Sequence, residues 1–279
     1  MDNTTDTTAA ATSTAPQGFD RAAYHAAAAS GERVSFHSLL DFARNGKDYH
    51  ARCMGEIPPI PETREMFFGT AAHTFILEGR EKFEAEYKVA DGPVNPRTGA
   101  PYGRETKAFA EWLATQDKAV VSTEEAALIL KMAAAVQSHG IASQLLAQGQ
   151  AETPVLFDYR GMACQSLIDW ISPRGIVDLK TTADLDRFVF QARDARYIAQ
   201  LAFYRRAWAI ETFADLDCYI IAVEKTSRPR CAVYAIPRAD LDEAEEWCWH
   251  QLDALCEARE ADIWRDYYEE LRTLTLHNY

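Results

Sequence analysis

The spacing of apolar residues changes character near Thr153. Before that point it is largely helical. Ser35 precedes the amphipathic stretch SFHSLLDFARNGKDYH, where its hydroxyl can accept a free backbone N–H and start a helix. Over residues 63–78, Met66, Phe67, Ala71, Phe75 and Leu77 fall mostly at helical intervals. Residues 91–103, DGPVNPRTGAPYG, are so rich in Gly and Pro that only a loop fits. Helical patterns return over residues 104–114 and 123–138, with Thr123 as the expected cap of the second.

Beyond Thr153 the runs PVLFDY, MACQSLIDWI and GIVDLKT are short and apolar. Turn signals at Arg160-Gly161 and Ser172-Pro173-Arg174-Gly175 separate them, as in a meander of strands. A long helical segment is expected over residues 184–210, then the strands LDCYIIAVE and CAVYAIP, then an amphipathic helix over residues 239–263. This order predicts an α/β fold with a mixed sheet flanked by helices. Residues 1–20, rich in Thr and Ala without an apolar period, read as a disordered tail, and residues 21–279 as one domain.

Composition narrows the class. With 48% hydrophobic and 25% charged residues, the chain has material for an ordinary globular core. No apolar run approaches the roughly 18 residues of a membrane span, and the first residues lack the regions of a signal peptide, so a cytoplasmic protein without membrane contact is expected. The six cysteines show no C-x-x-C spacing and read as reduced thiols. A net charge of −13, from 29 basic and 42 acidic residues, argues against a protein coated in nucleic acid. It constrains where DNA could bind, not whether it does.

Candidate chemistry lies in GIVDLKTT, residues 175–182. On a strand Asp178 and Lys180 share one face while Leu179 points into the core. An acid and a lysine are costly to bury on an apolar strand without a use. The preceding strand ends in Ile168-Asp169-Trp170, so a hairpin would bring Asp169 to Asp178. Two hard carboxylates, with the backbone carbonyl of Leu179, suit Mg²⁺ or Mn²⁺. Phosphodiester hydrolysis needs such a cation and a positive group to orient the nucleophile, a role open to Lys180. The tripeptide D-x-K is common, however, and an exposed ion pair on an edge strand is the ordinary alternative. Likewise His73 and Glu78 in GTAAHTFILEG, and Gln200 and Tyr204 four apart on one helix face, carry little meaning singly.

Together and in this order, Gly69-Thr70-Ala71-x-His73 with Leu77-Glu78, the acid Asp169, the run Asp178-x-Lys180-Thr181-Thr182-Ala183-Asp184, and Gln200 with Tyr204 resemble the RecB-like branch of the PD-(D/E)xK nucleases, most closely RecE-type exonucleases (exodeoxyribonuclease VIII). The resemblance implies a restriction-endonuclease-like core. It implies that His73 sits beside the metal with Asp169 and Asp178 as ligands, that Lys180 assists attack, and that Gln200 and Tyr204 lie at the edge of the site nearer the DNA. Glu78 matches the motif without a defined role. Ile168 stands where the usual Pro precedes the first acid, and the four-cysteine iron–sulfur motif of other RecB-like nucleases is missing.

The activity so implied is a metal-dependent exodeoxyribonuclease acting on duplex DNA ends, 5′→3′, with Mg²⁺ or substituting Mn²⁺. A RecT-like annealing protein is the implied partner and a ring-shaped homo-oligomer, preferably a tetramer, the implied assembly. A structure-specific or defence endonuclease on the same scaffold is the alternative, and a non-catalytic DNA-binding module a third reading. Arg193, Arg196 and Arg205, near Arg187 and Arg206, are the candidate DNA contacts, with Arg97, Arg104 and Lys107 around the loop. Arg33 and His37 are weaker candidates for a terminal phosphate. The aromatic C-terminal region, with Trp247, Trp249 and Trp264, reads as core packing or a subunit interface rather than a base-stacking platform.

Overall fold

Local capping chemistry starts most helices of the N-terminal half. The computed structural model describes residues 19–269 and 271. Residues 1–18 of the expected tail lie outside the described residues. Asp20 accepts the N–H groups of Ala22 and Ala23 and so begins α1 (Arg21–Ala29), a helix the apolar pattern did not predict. Ser35 caps α2 (Phe36–Arg44) as expected. The amphipathic stretch then breaks at Asn45, whose extended backbone ends α2 and whose side chain caps α3 (Gly46–Cys53).

Thr63 caps α4 (Arg64–His73), and a π-helical turn, Thr74–Glu78, follows it directly. The α5 helix (Arg80–Glu86) leads into β1 (Tyr87–Val89), and α6 (Lys107–Leu113) precedes β2 (Ala119–Val121). These two short strands pair in parallel and were not foreseen. Ser122, not Thr123, caps α7 (Thr123–Ser138). Its hydroxyl accepts the N–H of Glu125 while the Glu125 carboxylate accepts the N–H of Ser122, a reciprocal box that displaces the expected cap by one residue. The short α8 (Gly140–Leu145) closes this half.

Five strands make the main sheet. They are β3 (Gln150–Tyr159), β4 (Met162–Ser172), β5 (Gly175–Thr182), β6 (Cys218–Glu224) and β7 (Cys231–Ala235), side by side in that order. All pairs are antiparallel except β5–β6, so the sheet is mixed as predicted. Gly175 turns β4 into β5 at φ 144°, where an added Cβ would meet the Asp217 carbonyl oxygen at 2.3 Å. The parallel pair needs a crossover, which the expected single helix over 184–210 supplies in pieces. A 3₁₀ turn (Leu185–Arg187) enters α9 (Phe188–Asp194), then Arg196 adopts a left-handed backbone that redirects the chain into α10 (Tyr197–Thr212). The chain's last described helix is α11 (Arg238–Ala261).

Helices cover both faces of the sheet. One core joins α2, α10 and α11 to Ile176, Ile220 and Ala222, and the other joins α4 and α7 to Val177, Leu179, Ile221 and Val223. Strand alternation explains this partition along β5 and β6. It fails along β3 and β4. Ala151 and Val155 bury in different cores, as do Ile168 and Trp170. The pair rolls over at Glu152 and Asp169, where the register skips a partner and Glu152 takes a positive φ of 49°. All six cysteines are free thiols, and among the described residues no helix is long and apolar enough to cross a membrane.

Candidate active site

The β4–β5 ladder runs from Ser172↔Gly175 to Trp170↔Val177 and stops there. The next residues along the two strands are Asp169 and Asp178. Instead of continuing the ladder, the Leu179 N–H donates to Asp169 Oδ2 at 2.9 Å. Asp178 and Lys180 share the face that Ile176 occupies, while Leu179 is fully buried on the other, as the alternation predicted. From the last turn of α4, His73 Nδ1 stands 3.5 Å from Asp169 Oδ2. Three separate elements thus deliver His73, Asp169 and the Asp178/Lys180 pair to one place.

Burial dominates their electrostatics. It pushes the Asp178 carboxyl up to about 6, although Lys180 pulls the other way. Asp169 is likewise raised by burial, against the opposing pull of Lys180 and the Leu179 N–H. His73 is lowered to about 4 by burial and then by the Lys180 charge, so its imidazole is neutral at pH 7 and free to ligate. For Lys180, burial favours the neutral amine, but Asp178 and Asp169 outweigh it and raise the pKa. Lys180 is therefore a fixed cation and not a base.

Lys180 Nζ donates to Asp178 Oδ1 at 3.0 Å and to Gln200 Oε1 at 2.9 Å, and it sits 4.5 Å from the Tyr197 ring centre. Because an ammonium offers only donors, the Gln200 amide must turn its oxygen towards it. That fixes the amide nitrogen, which donates to Tyr204 Oη at 2.8 Å. Gln200 and Tyr204 are both buried. The four-residue spacing on α10 thus builds a support behind Lys180. The resemblance had put these two side chains at the edge of the site nearer the DNA.

Arg21 and Glu152 are among the site residues that escaped sequence reading, with Tyr197 and the cleft cations Arg44, Arg52 and Lys225. Arg21 of α1 reaches Glu78 at 2.9 Å and Glu152 at 3.3 Å. In an α-helix, residues five apart point roughly 140° from each other. The π turn after His73 winds less tightly and carries Glu78 round to Arg21. Glu152 lies where the sheet rolls over, opposite Asp169. Burial and the Asp169 charge raise it to about 8, with Arg21 opposing. The only advance signal for Glu152 was an acid two residues before Pro154 at the head of an apolar run.

Apart from Asp178 and Glu78, whose side chains are buried, these groups line a cleft of about 1240 Å³. Its cationic wall consists of Arg21, Arg44, Arg52 and Lys225; His37 also lines it but is kept neutral, lowered to about 4 chiefly by burial, and Arg33 is not on the lining. Of the predicted DNA contacts, Tyr204 lines the cleft, whereas Arg193, Arg196 and Arg205 do not. Arg205 is buried and held by Asp215 at 2.6 Å and Asp242 at 2.8 Å. Arg196 lies over Trp247, and Arg193 pairs with Asp194 at 3.0 Å. Arg205 therefore braces α10 against α11, a structural task that corrects the DNA-contact expectation. Trp247, Trp249 and Trp264 pack against the core, with Trp249 stacked on Tyr159, in line with the packing reading.

The donor set fits a divalent cation. Among the described residues no three His, Cys, Asp or Glu side chains form a complete cage. Yet Asp178 is 1% exposed, and its Oδ2 has no hydrogen-bond donor, since Lys180 Nζ lies 2.8 Å away outside hydrogen-bonding geometry. An orphaned carboxylate oxygen beside a second carboxylate and a neutral imidazole suits a hard ion. Mg²⁺ is ordinarily held by one or two carboxylates, with water and substrate phosphate completing the shell.

The same architecture recurs elsewhere. Residues 35–275 match the model of a family described as the PDDEXK-like domain of unknown function (DUF3799). The chain belongs to this family. No curated protein matches the sequence. Among solved structures, a candidate exonuclease from Eubacterium rectale shares the fold, with a TM-score of 0.66 and 15% identity over 95% of this chain and 97% of that one. Nucleases with the PDDEXK-like fold generally use divalent metal ions. The three residues that the sequence resemblance assigns to the motif, Asp169, Asp178 and Lys180, all lie within the matched range and close together.

Proposed function

We propose that this PDDEXK-like domain is a metal-dependent deoxyribonuclease that hydrolyses phosphodiesters from duplex DNA ends. The observation that carries the reading is the buried, orphaned Asp178 Oδ2 beside Asp169 and a fixed Lys180 cation. Asp169 and Asp178 would hold the metal, with His73 as a further donor and the Leu179 carbonyl as an expected backbone ligand. When bound, a divalent ion supplies a Lewis acid for the phosphate and lowers the pKa of attacking water.

The protein's own part is positional. Two of the three Lys180 N–H groups are committed to Asp178 and Gln200, which leaves one for the incoming nucleophile or a phosphate oxygen. Gln200, held by Tyr204, keeps that ammonium from swinging away. The Arg21, Arg44, Arg52 and Lys225 wall lets an acidic protein hold a polyanion inside the cleft only. Action at ends is supported by the name of the Eubacterium rectale candidate exonuclease, and the 5′→3′ direction comes from the resemblance to RecE-type enzymes alone. A ring-shaped homo-oligomer, favouring a tetramer, and a RecT-like partner belong to the same reading.

Incubation with Mg²⁺ or Mn²⁺ of linear duplex labelled at each end in turn, beside closed circular DNA, tests it. Metal-dependent loss of the 5′ label with circles intact is expected. Cleaved circles would replace the exonuclease by the endonuclease, and no cleavage of any DNA would overturn the nuclease.

A further inference from the structure

Three carboxylates stand in a row across three adjacent strands. Asp169 on β4 has Asp178 of β5 on one side, just past the end of their ladder. On the other side is Glu152 of β3, where the β3–β4 register skips one residue on each strand. Neighbouring strands lie about 4.8 Å apart, so the row leaves two gaps about that far from each other, both bounded by Asp169. Sites that act with two divalent ions space them about 3.5–4 Å apart, close to this distance. The gap at Glu152 already holds a cation. Arg21 Nη2 lies 3.3 Å from Glu152 Oε2 and donates to Glu78 Oε1 at 2.9 Å. Arg21 lines the same cleft as Asp169 and His73, and its charge acts on both. Both of its contacts use one nitrogen, and among the described residues Nη1 and Nε meet no acceptor. Arg21 is not the sole tether of α1, because Gln165 Nε2 donates to the Tyr24 carbonyl at 2.8 Å.

We propose that Arg21 is a catalytic residue that takes the place of a second divalent ion, leaving one metal ion on the Asp169–Asp178 side and a fixed guanidinium on the Asp169–Glu152 side. The proposal rests on the nuclease reading and adds a residue to its chemistry. In the hydrolysis a water oxygen bonds to phosphorus and sheds a proton to solvent. The bond from phosphorus to the leaving oxygen breaks, and that oxygen takes a proton from solvent. Where two ions act, they stabilise the attacking and the leaving oxygens between them. Here Arg21 Nη1 and Nε are the donors on one side of the phosphate, with Lys180 on the other. An arginine stays charged at any working pH and needs no free metal to fill its position. Glu78 and Glu152 hold it there through charged contacts.

Titration of the metal-free protein with Mn²⁺ in a calorimeter counts the ions without DNA. The wild type and Arg21→Lys should each bind about one. Arg21→Ala should bind about two, because Glu152, Glu78 and Asp169 then lack their cation. Arg21→Gln, which can still donate to Glu78, gives the same reading should the alanine variant fail to fold. On DNA, below saturation, the rate should rise with about the first power of Mg²⁺ concentration in the wild type and about the second power in Arg21→Ala. In dilute Mg²⁺ that variant should cleave about a hundredfold more slowly and recover as Mg²⁺ is raised. Two ions in the wild type would overturn the proposal by itself. One ion in the neutral variants, with a loss of rate that Mg²⁺ does not repair, would reduce Arg21 to a tether for α1. Counts of one and two without cleavage of any DNA would reject the nuclease and keep Arg21 in the place of a cation.

Discussion

The Asp169 carboxylate accepts the Leu179 N–H at 2.9 Å, at the point where β4 and β5 cease to pair. A side chain thus replaces a strand in satisfying a buried backbone donor while its other oxygen stays available. Asp169→Asn keeps an acceptor there, whereas Asp169→Ala leaves the N–H unsatisfied. The alanine variant should be less stable than the asparagine variant by about 1–3 kcal/mol in metal-free denaturant unfolding. Both should lose cleavage. Equal stabilities would show that the N–H finds water instead.

Metal binding can be read without DNA. Saturating Mg²⁺ or Mn²⁺ should raise the melting temperature of the wild type, by about 2.7 kcal/mol of stability at a hundredfold excess over Kd. Asp178→Asn should abolish that rise, because it removes the charge of the orphaned oxygen. Lys180→Ala should retain it while cleavage falls at least about a hundredfold, since lysine stabilises developing charge and is no ligand. A variant of Asp178 that still responds to metal would displace it from the ligand set.

Gln200→Leu removes the acceptor on Lys180 and should reduce cleavage by about a hundredfold. Tyr204→Phe only frees the far side of the amide, and a loss of about threefold to tenfold is expected from one neutral hydrogen bond. Neither should shift the metal midpoint in calorimetry. A shift as large as that of Asp169→Ala would put them in contact with the ion.

Glu152 gives stability a pH dependence. Its carboxyl is raised from its ordinary value near 4.5 to about 8, mainly by burial. A group that binds its proton more tightly when folded contributes stability at low pH, and that contribution is lost as pH rises through the window from about 4.5 to about 8. Glu152→Gln, a neutral mimic, should therefore match the wild type near pH 4 and melt several degrees higher near pH 8.5. Melting curves of both proteins across that range check the sign. A variant less stable at pH 8.5 would mean that the charged Glu152–Arg21 pair outweighs the burial.

What the sequence determined by itself was whatever depends on near neighbours along the chain. The alternation of GIVDLKTT set Asp178 and Lys180 on one face and buried Leu179, because side chains on a strand have no other choice. The turn at Ser172–Gly175 made Asp169 and Asp178 neighbours, and four-residue spacing put Gln200 beside Tyr204. Tertiary structure decided whatever depends on where separate elements meet. Arg21 and Glu152 are 131 positions apart, and no local pattern announces their 3.3 Å contact. The break at Arg196 that aims α10 at Lys180 needs a left-handed residue where the apolar period runs on uninterrupted. Arg205 looked like a DNA contact because charge is visible in sequence, while its partners are set by folding: Asp215 reaches it from the loop after α10, and Asp242 comes into reach only when α10 packs on α11. Period and charge are properties of single residues and their neighbours, whereas a partner is fixed by packing.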